Sequence, residues 1–134
     1  MAYWLLKTEP DCYSWDALAR DKKTVWDGVT NALALKHIRT MKKGDLALIY
    51  HTGGERRAIG LATVERGPYP DPTDSAGKRV WVDLRAGQLL ASSVSLAVLK
   101  TLPVFADSPL IRMSRLSVVP LTEAQHAEIL RLSQ

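Results

Sequence analysis

The sequence predicts a mixed α/β (α+β) domain in which a small β-barrel is surrounded by short helices. Three observations support this fold class. Five segments have the composition of β-strands, the helical segments are short and lie between them, and 134 residues suffice for one domain with its own core. Strands that pair non-locally, with short helices outside them, indicate a small mixed barrel.

Five segments are expected to form strands, namely residues 3–8, 46–52, 57–65, 79–85 and 116–119. The second of these is apolar on both faces, which indicates a central strand. Gly53 and Gly54 follow it and allow the positive φ angles of a hairpin turn. On the returning strand, Gly60 and Ala62 leave room for a close neighbour on one face.

Each expected helix begins at a recognisable N-cap. The caps and ranges are Ser14 (through Arg20), Asn31 (32–43, ended by Gly44), Ser108 followed by Pro109, and Thr122 with capping-box spacing (to about 132), and a further helix is expected over 95–100 without an assigned cap. Residues 67–78 contain three prolines and are expected to form a long surface loop, a kind of segment that often carries function.

The net charge of +4 is concentrated in one part of the chain. Residues 36 to 57 include six basic residues and only two acidic ones. The basic residues are Lys36, Arg39, Lys42, Lys43, Arg56 and Arg57. Charge confined to one helix and the following hairpin is typical of a phosphate-binding surface, so these six are the predicted phosphate contacts. From charge alone, a solvated helix face is the simpler interpretation of the same residues.

Several classes of protein are disfavoured by composition. The single Cys12 excludes an internal disulfide, and the three histidines lack metal-ligand spacing, so neither a metal nor another cofactor is expected. His126 is expected at the surface. No apolar run has the length of a membrane span, and the N-terminus lacks signal-peptide features, so we expect a cytoplasmic protein without a membrane partner. A monomer is expected, although no sequence feature fixes the oligomeric state.

The stretch from Trp26 to Asn31 is the strongest candidate for a binding site. It places a large aromatic ring and a glycine turn immediately before a helix N-cap. A flat ring beside a helix N-terminus can hold a planar ligand, and the unpaired N–H groups of the first turn can meet the polar edge of that ligand. The pattern favours recognition over chemistry.

The chain resembles the EVE domain family of the PUA-like superfamily, whose relatives include the YTH and ASCH domains. The matching motifs run nearly end to end: YWLLKTEP at 3–10, WDGVTN at 26–31, MKKGD at 41–45, YHT at 50–52, residues 62–64 leading into YPDP at 69–72, WVDL at 81–84, and RLSV at 115–118 before Pro120. The resemblance implies a five- or six-stranded PUA-like pseudobarrel. It also implies a nucleic-acid partner, DNA or RNA, with one flipped-out methylated or hydroxymethylated cytosine or adenine in a pocket.

This resemblance extends the candidate ligand site beyond the aromatic stretch. Trp26 is the expected stacking wall, because stacking returns about 1–3 kcal/mol per base and so offsets the cost of extracting the base. The other candidates are Lys7 and Thr8 at the end of the first strand, Val29, Thr30 and Asn31 before the helix, and Tyr50 and His51 at the end of a central strand. Their expected roles are hydrogen bonds to the base edge or to phosphate.

Three positions depart from the family pattern. Thr30 and Leu35 stand where arginine is common, and Ala32 stands where an aromatic residue or proline is common. The absence of two guanidinium groups removes bidentate interactions with phosphate that lysine cannot reproduce, although Lys36 can supply charge.

Two further functions remain open at this point. ASCH relatives resemble amide hydrolases acting on acylated cytosine, and Lys7, Thr8 and Glu9 bring a base, a hydroxyl and a carboxylate together. Adjacent strand residues point to opposite faces, however, which separates Thr8 from the other two. The remaining alternative is a protein-interaction domain with a vestigial pocket, which the three departures would favour.

Overall fold

The computed structural model describes residues 1–134 as six strands, five α-helices and one short 3-10 helix, Pro103–Phe105. The strands are β1 (Tyr3–Thr8), β2 (Lys23–Trp26), β3 (Leu46–His51), β4 (Arg57–Pro70), β5 (Val80–Ser95) and β6 (Val118–Leu121). The helices are α1 (Trp15–Asp21), α2 (Ala32–Arg39), α3 (Leu96–Leu99), α4 (Pro109–Arg112) and α5 (Glu123–Leu132). None of the helices combines the length and the apolar character needed to cross a membrane.

The strands form one sheet in the order β2-β5-β4-β3-β1-β6. β1 runs parallel to β3, and every other neighbouring pair is antiparallel. The apolar strand β3 lies inside the sheet, as its sequence predicts, and its residues are almost all buried. β2 and β6 are the two edges, and Pro120 lies in β6, where an edge strand can accept a residue without an N–H group.

The sheet curls around one hydrophobic core. A single cluster of buried side chains draws on strands from β1 to β6 and on helices α1, α2 and α5. Residues of the edge strand β2 and of β1 near the opposite end of the sheet line one common cavity, so the curled sheet leaves a gap between its ends. This open, curled arrangement is the predicted mixed pseudobarrel.

The strands differ from the sequence prediction at their ends. The sequence does not predict β2, since its four residues have no clear alternation. β4 and β5 continue well beyond their predicted limits because they pair with each other along most of their length, and this pairing absorbs the first residues of the expected 67–78 loop. Long-range pairing of this kind has no local signal in the sequence.

Helix α2 ends at Arg39, four residues before the predicted limit. The cause is Asp45, which is 3% exposed and accepts three hydrogen bonds. Its carboxylate accepts from the backbone N–H of Lys42 at 2.9 Å, from the backbone N–H of Ala2 at 3.0 Å and from the indole Nε1 of Trp4 at 3.1 Å. The bond to Lys42 closes a turn, and the other two fix that turn to β1.

Helix α1 packs on the sheet through Trp15, which is 3% exposed. An ideal Cβ atom on Gly60 would lie 2.6 Å from the Trp15 ring, so the close neighbour expected at this glycine is the indole itself. The backbone N–H of Trp15 donates to Nε2 of His51 at 2.9 Å. Both contacts fix the start of α1 against the sheet.

His126 is buried, which corrects the expectation that it lies at the surface. It is 5% exposed, and its ring centroid lies 4.5 Å from that of Tyr3. The Nε2 atom has no hydrogen-bond partner. Burial lowers the pKa of His126, because an imidazolium cation in this position would lose its hydration.

We expect Gly60→Ala to destabilise the protein by about 1–3 kcal/mol, since the new methyl group must displace the Trp15 ring. The matched control is Gly54→Ala, where no atom lies within 4 Å of the added Cβ. Urea unfolding of both variants measures the difference. Equal stabilities would contradict the close packing of Trp15 on this strand.

The free energy of unfolding should decrease as the pH falls below about 6.5, the usual pKa of an unfolded histidine. The pKa of His126 is lower in the folded state, so the unfolded chain binds its proton first and acid favours unfolding. His126→Phe should reduce this pH dependence, whereas His37→Gln should retain the contribution of His126. Unfolding titrations at several pH values test this, and identical slopes for wild type and His126→Phe would contradict it.

Candidate functional site

A cavity with a volume of about 780 Å³ lies in the gap between the two ends of the curled sheet. This volume is within the usual range for small-molecule sites. Its lining comes from β1, β2, the turn before α2 and the segment before β6, namely Lys7, Thr8, Cys12, Tyr13, Thr24, Val25, Trp26, Asp27, Gly28, Val29, Thr30, Asn31, Arg115 and Ser117. No group of three or more His, Cys, Asp or Glu side chains is arranged to hold a metal ion.

Trp26 forms an aromatic wall of this cavity at the end of β2. Its side chain is 7% exposed and meets Tyr13 edge to face, with ring centroids 6.5 Å apart. Antiparallel pairing with Val82 of β5 fixes its backbone. Gly28 has a φ angle of 78°, a left-handed conformation that suits glycine and turns the chain from β2 towards α2.

Asn31 caps α2 at the edge of the cavity, as predicted. Its side-chain oxygen accepts the backbone N–H of Ala34 at 3.0 Å, and its carbonyl accepts the N–H of Leu35 at 2.9 Å. The helix therefore begins at a defined residue beside the aromatic wall.

Lys7 and Thr8 contribute polar groups from the end of β1. The Lys7 ammonium donates to the carbonyl of Ser114 at 2.9 Å, and partial burial lowers the pKa of this lysine. The Thr8 hydroxyl donates to the carbonyl of Tyr13 at 2.7 Å, which leaves its oxygen free to accept. Each side chain is held by a backbone carbonyl and not by the other side chain.

Two predicted ligand residues, Tyr50 and His51, do not line the cavity. They are 3% and 6% exposed. Tyr50 pairs with Lys7 across β1 and β3, and the Lys7 ammonium lies 5.8 Å from the centre of its ring. His51 accepts from the Trp15 N–H through Nε2, so its Nδ1 is the donor to Glu55 at 3.1 Å. Packing against neighbouring elements thus occupies both side chains.

The predicted basic residues lie on two parts of the fold, α2 with the turn that follows it and the β3–β4 hairpin. Lys36, Lys42 and Lys43 are exposed and lie outside the cavity lining. Arg56 and Arg57 lie on the β3–β4 hairpin, where Arg56 donates to the carbonyl of Gly53 and Arg57 to the hydroxyl of Ser93. Of the six predicted basic residues, Arg39 is the one that lines a depression next to the cavity. The same depression is lined by the three positions that depart from the family pattern, Thr30, Ala32 and Leu35.

Seven cavity residues besides Gly28 are absent from the predicted ligand contacts: Cys12, Tyr13, Thr24, Val25, Asp27, Arg115 and Ser117. Arg115 and Ser117 belong to the RLSV motif that carries part of the family resemblance, and that motif is the available signal for them. Thr24 and Val25 lie on β2. Because the sequence does not predict this strand, it gives no signal that these two residues line the cavity.

The curled mixed sheet with a cavity between its ends defines a PUA-like domain. The YTH domain of the Zygosaccharomyces rouxii MRB1 protein, in a complex with N6-methyladenosine RNA, has the same fold, with a TM-score of 0.61, 14% identity, and coverage of 99% of this chain and 86% of that one. At this identity the similarity supports the fold alone.

The chain belongs to the EVE domain family, whose model matches residues 2–132. It is 31% identical to thymocyte nuclear protein 1 of Rattus norvegicus over 98% of this chain and 74% of that protein. The NMR structure of Rpa0253 from Rhodopseudomonas palustris has a TM-score of 0.93 at 39% identity, covering 99% of this chain and 93% of that one. Human THYN1, in a complex with 5-methylcytosine containing DNA, has a TM-score of 0.92 at 27% identity, covering 100% and 98%. The predicted resemblance is confirmed.

Replacing the cap residue, Asn31→Ala, should cost about 1 kcal/mol of stability, because the Ala34 N–H then has no side-chain acceptor. Asn31→Ser should retain most of this stability, since serine is an equally good cap. Chemical unfolding measures both. A decrease of the same size in the two variants would show that the helix start does not depend on this hydrogen bond.

Proposed function

We propose that this protein is a nucleic-acid-binding module whose cavity accepts one flipped-out, modified nucleobase. The observation that carries the proposal is the position of Trp26, an aromatic wall in an open cavity of about 780 Å³ that is also lined by polar side chains. An aromatic face and polar groups are the two features that a planar base requires, since its faces stack and its edge forms hydrogen bonds.

The energetics favour a base as the ligand. Extraction of a base costs a few kcal/mol, and a mismatched, damaged or single-stranded base costs least. Stacking on Trp26 returns about 1–3 kcal/mol. Groups at the cavity surface supply the remainder: the Thr8 hydroxyl accepts, and the Asp27 carboxylate can accept from an exocyclic amino group such as that of cytosine.

The relatives support the same ligand class. Human THYN1, which matches this chain over its whole length, is known in a complex with 5-methylcytosine containing DNA. Thr30 and Leu35 replace arginines common in the family, so binding to matched oligonucleotides distinguishes cytosine from adenine and DNA from RNA for this chain.

Binding rather than catalysis agrees with the contacts of the Lys7-Thr8-Glu9 segment. A nucleophile must lie within hydrogen-bond reach of its base. The Thr8 hydroxyl instead donates to the Tyr13 carbonyl, and the Glu9 carboxylate accepts from the Thr52 hydroxyl at 3.3 Å. The cavity is also open and not filled by its own side chains, which favours a working site over a vestigial one.

Binding to matched oligonucleotides tests the proposal. The set comprises unmodified DNA and RNA and the same strands with 5-methylcytosine, 5-hydroxymethylcytosine or N6-methyladenine. We expect one modified strand to bind best, and Trp26→Ala to weaken that binding by about 1–3 kcal/mol, roughly a 5- to 150-fold rise in Kd.

Since Trp26 contributes to the core, a second variant separates an impaired site from impaired folding. Cys12 is exposed and lines the cavity, so Cys12→Trp fills the site without opening the core, and Cys12→Ser is its matched control. We expect the tryptophan variant to abolish binding at unchanged thermal stability and the serine variant to keep it. Equal, weak binding to all strands by every variant would overturn the proposal.

A further inference from the structure

Two depressions that contain arginine side chains adjoin the cavity, one on each side of the start of α2. The first, called here the loop cleft, contains Arg39, Lys78 and Arg79 and shares Thr30 with the cavity. The second shares both Asn31 and Arg115 with it. Thr30 and Asn31 are consecutive, so both depressions adjoin the cavity at the start of α2, and the three spaces together are called here the track.

The loop cleft is held by backbone hydrogen bonds. The Asp74 carboxylate accepts from the backbone N–H groups of Ala76, Lys78 and Arg79 at 3.1, 2.9 and 2.7 Å. These bonds, that of Arg79 above all, lower the pKa of Asp74. The Arg39 guanidinium donates to the carbonyl of Lys78, which ties the loop to the last residue of α2.

The loop cleft has an excess of positive charge, because three cations face the single carboxylate of Asp74. Arg39, Lys78 and Arg79 form no ion pair, and Asp74 directs its oxygens to backbone groups. On the opposite side Arg115 also lacks a carboxylate partner. The flanks of the cavity therefore carry the free charges suited to phosphate.

We infer that a nucleic-acid strand runs along this track, with one phosphate in the loop cleft and another at Arg115, on either side of the flipped nucleotide. A flipped nucleotide has a backbone phosphate on each side, so a pocket that holds its base needs cations at both flanks of the entrance. This inference rests on the proposed function. It places the principal phosphate contacts on the loop between β4 and β5 and not on the β3–β4 hairpin.

Two charge-matched double variants test the inference: Lys78→Gln with Arg79→Gln in the loop cleft, and Arg56→Gln with Arg57→Gln on the hairpin. Each removes two positive charges from exposed side chains, and neither removes the backbone groups that hold the loop. The readout is the dependence of Kd on salt for the best-binding modified oligonucleotide, with thermal melting as the folding control.

Log K for association falls as log salt rises. The loop-cleft variant should make this fall less steep, by about 0.7–0.9 in slope for each phosphate that its side chains no longer neutralise. Its ratio of affinities for modified and unmodified strands should not change, since phosphate contacts carry no base information. The hairpin variant should keep the wild-type slope. Arg115→Gln should make the salt dependence less steep by the amount expected for one phosphate.

Failure of the inference and failure of the proposed function give different results. If Trp26→Ala abolishes preference for the modified strand but the loop-cleft and hairpin variants have equal slopes, the track is wrong and the reader function stands. If no variant of the cavity affects binding, the reader function is wrong and the inference falls with it.

Discussion

The structure depends on a sheet that curls without closing. Six twisted strands bury the core only by bending around it, and the bend brings β2 towards β1 near the opposite end of the order. Because no strand pairing joins these ends, a gap remains, and the loops that cross the gap surround a cavity. The site is thus a consequence of incomplete closure, and a sheet closed by continuous pairing would have no comparable opening there.

Buried polar contacts hold the elements on both sides of that gap. Asp45 ties the end of α2 to β1, and His51 ties the start of α1 to β3. The contact between Trp15 and Gly60 adds close packing between α1 and β4. These side chains have the polar or aromatic character of ligand-binding residues, yet they act on the scaffold. They leave Trp26 and the end of β1 as the surfaces presented to a ligand.

The three positions that depart from the family pattern lie beside the cavity and mostly outside it. Thr30, Ala32 and Leu35 all line the loop cleft, and only Thr30 also borders the cavity. Their substitutions alter the flank of the site and leave the cavity open. In the proposed function, recognition of the base would rest on stacking inside the cavity, and attraction of the phosphate backbone would rest on charge around its entrance.

The sequence alone determined the fold class, the family, most helix caps and the aromatic stretch at Trp26, because caps, turns and apolar runs act within a few residues of one another. The aromatic stretch and the family motifs together placed six of the eight predicted ligand residues at the cavity, although the local signals missed β2 and overestimated α2. Only the tertiary structure decided that Tyr50 and His51 lie outside the cavity lining and that Lys78 and Arg79 join Arg39. Both outcomes depend on contacts between residues that are distant in the chain. Such contacts produce no periodic pattern in the local sequence from which they could be predicted.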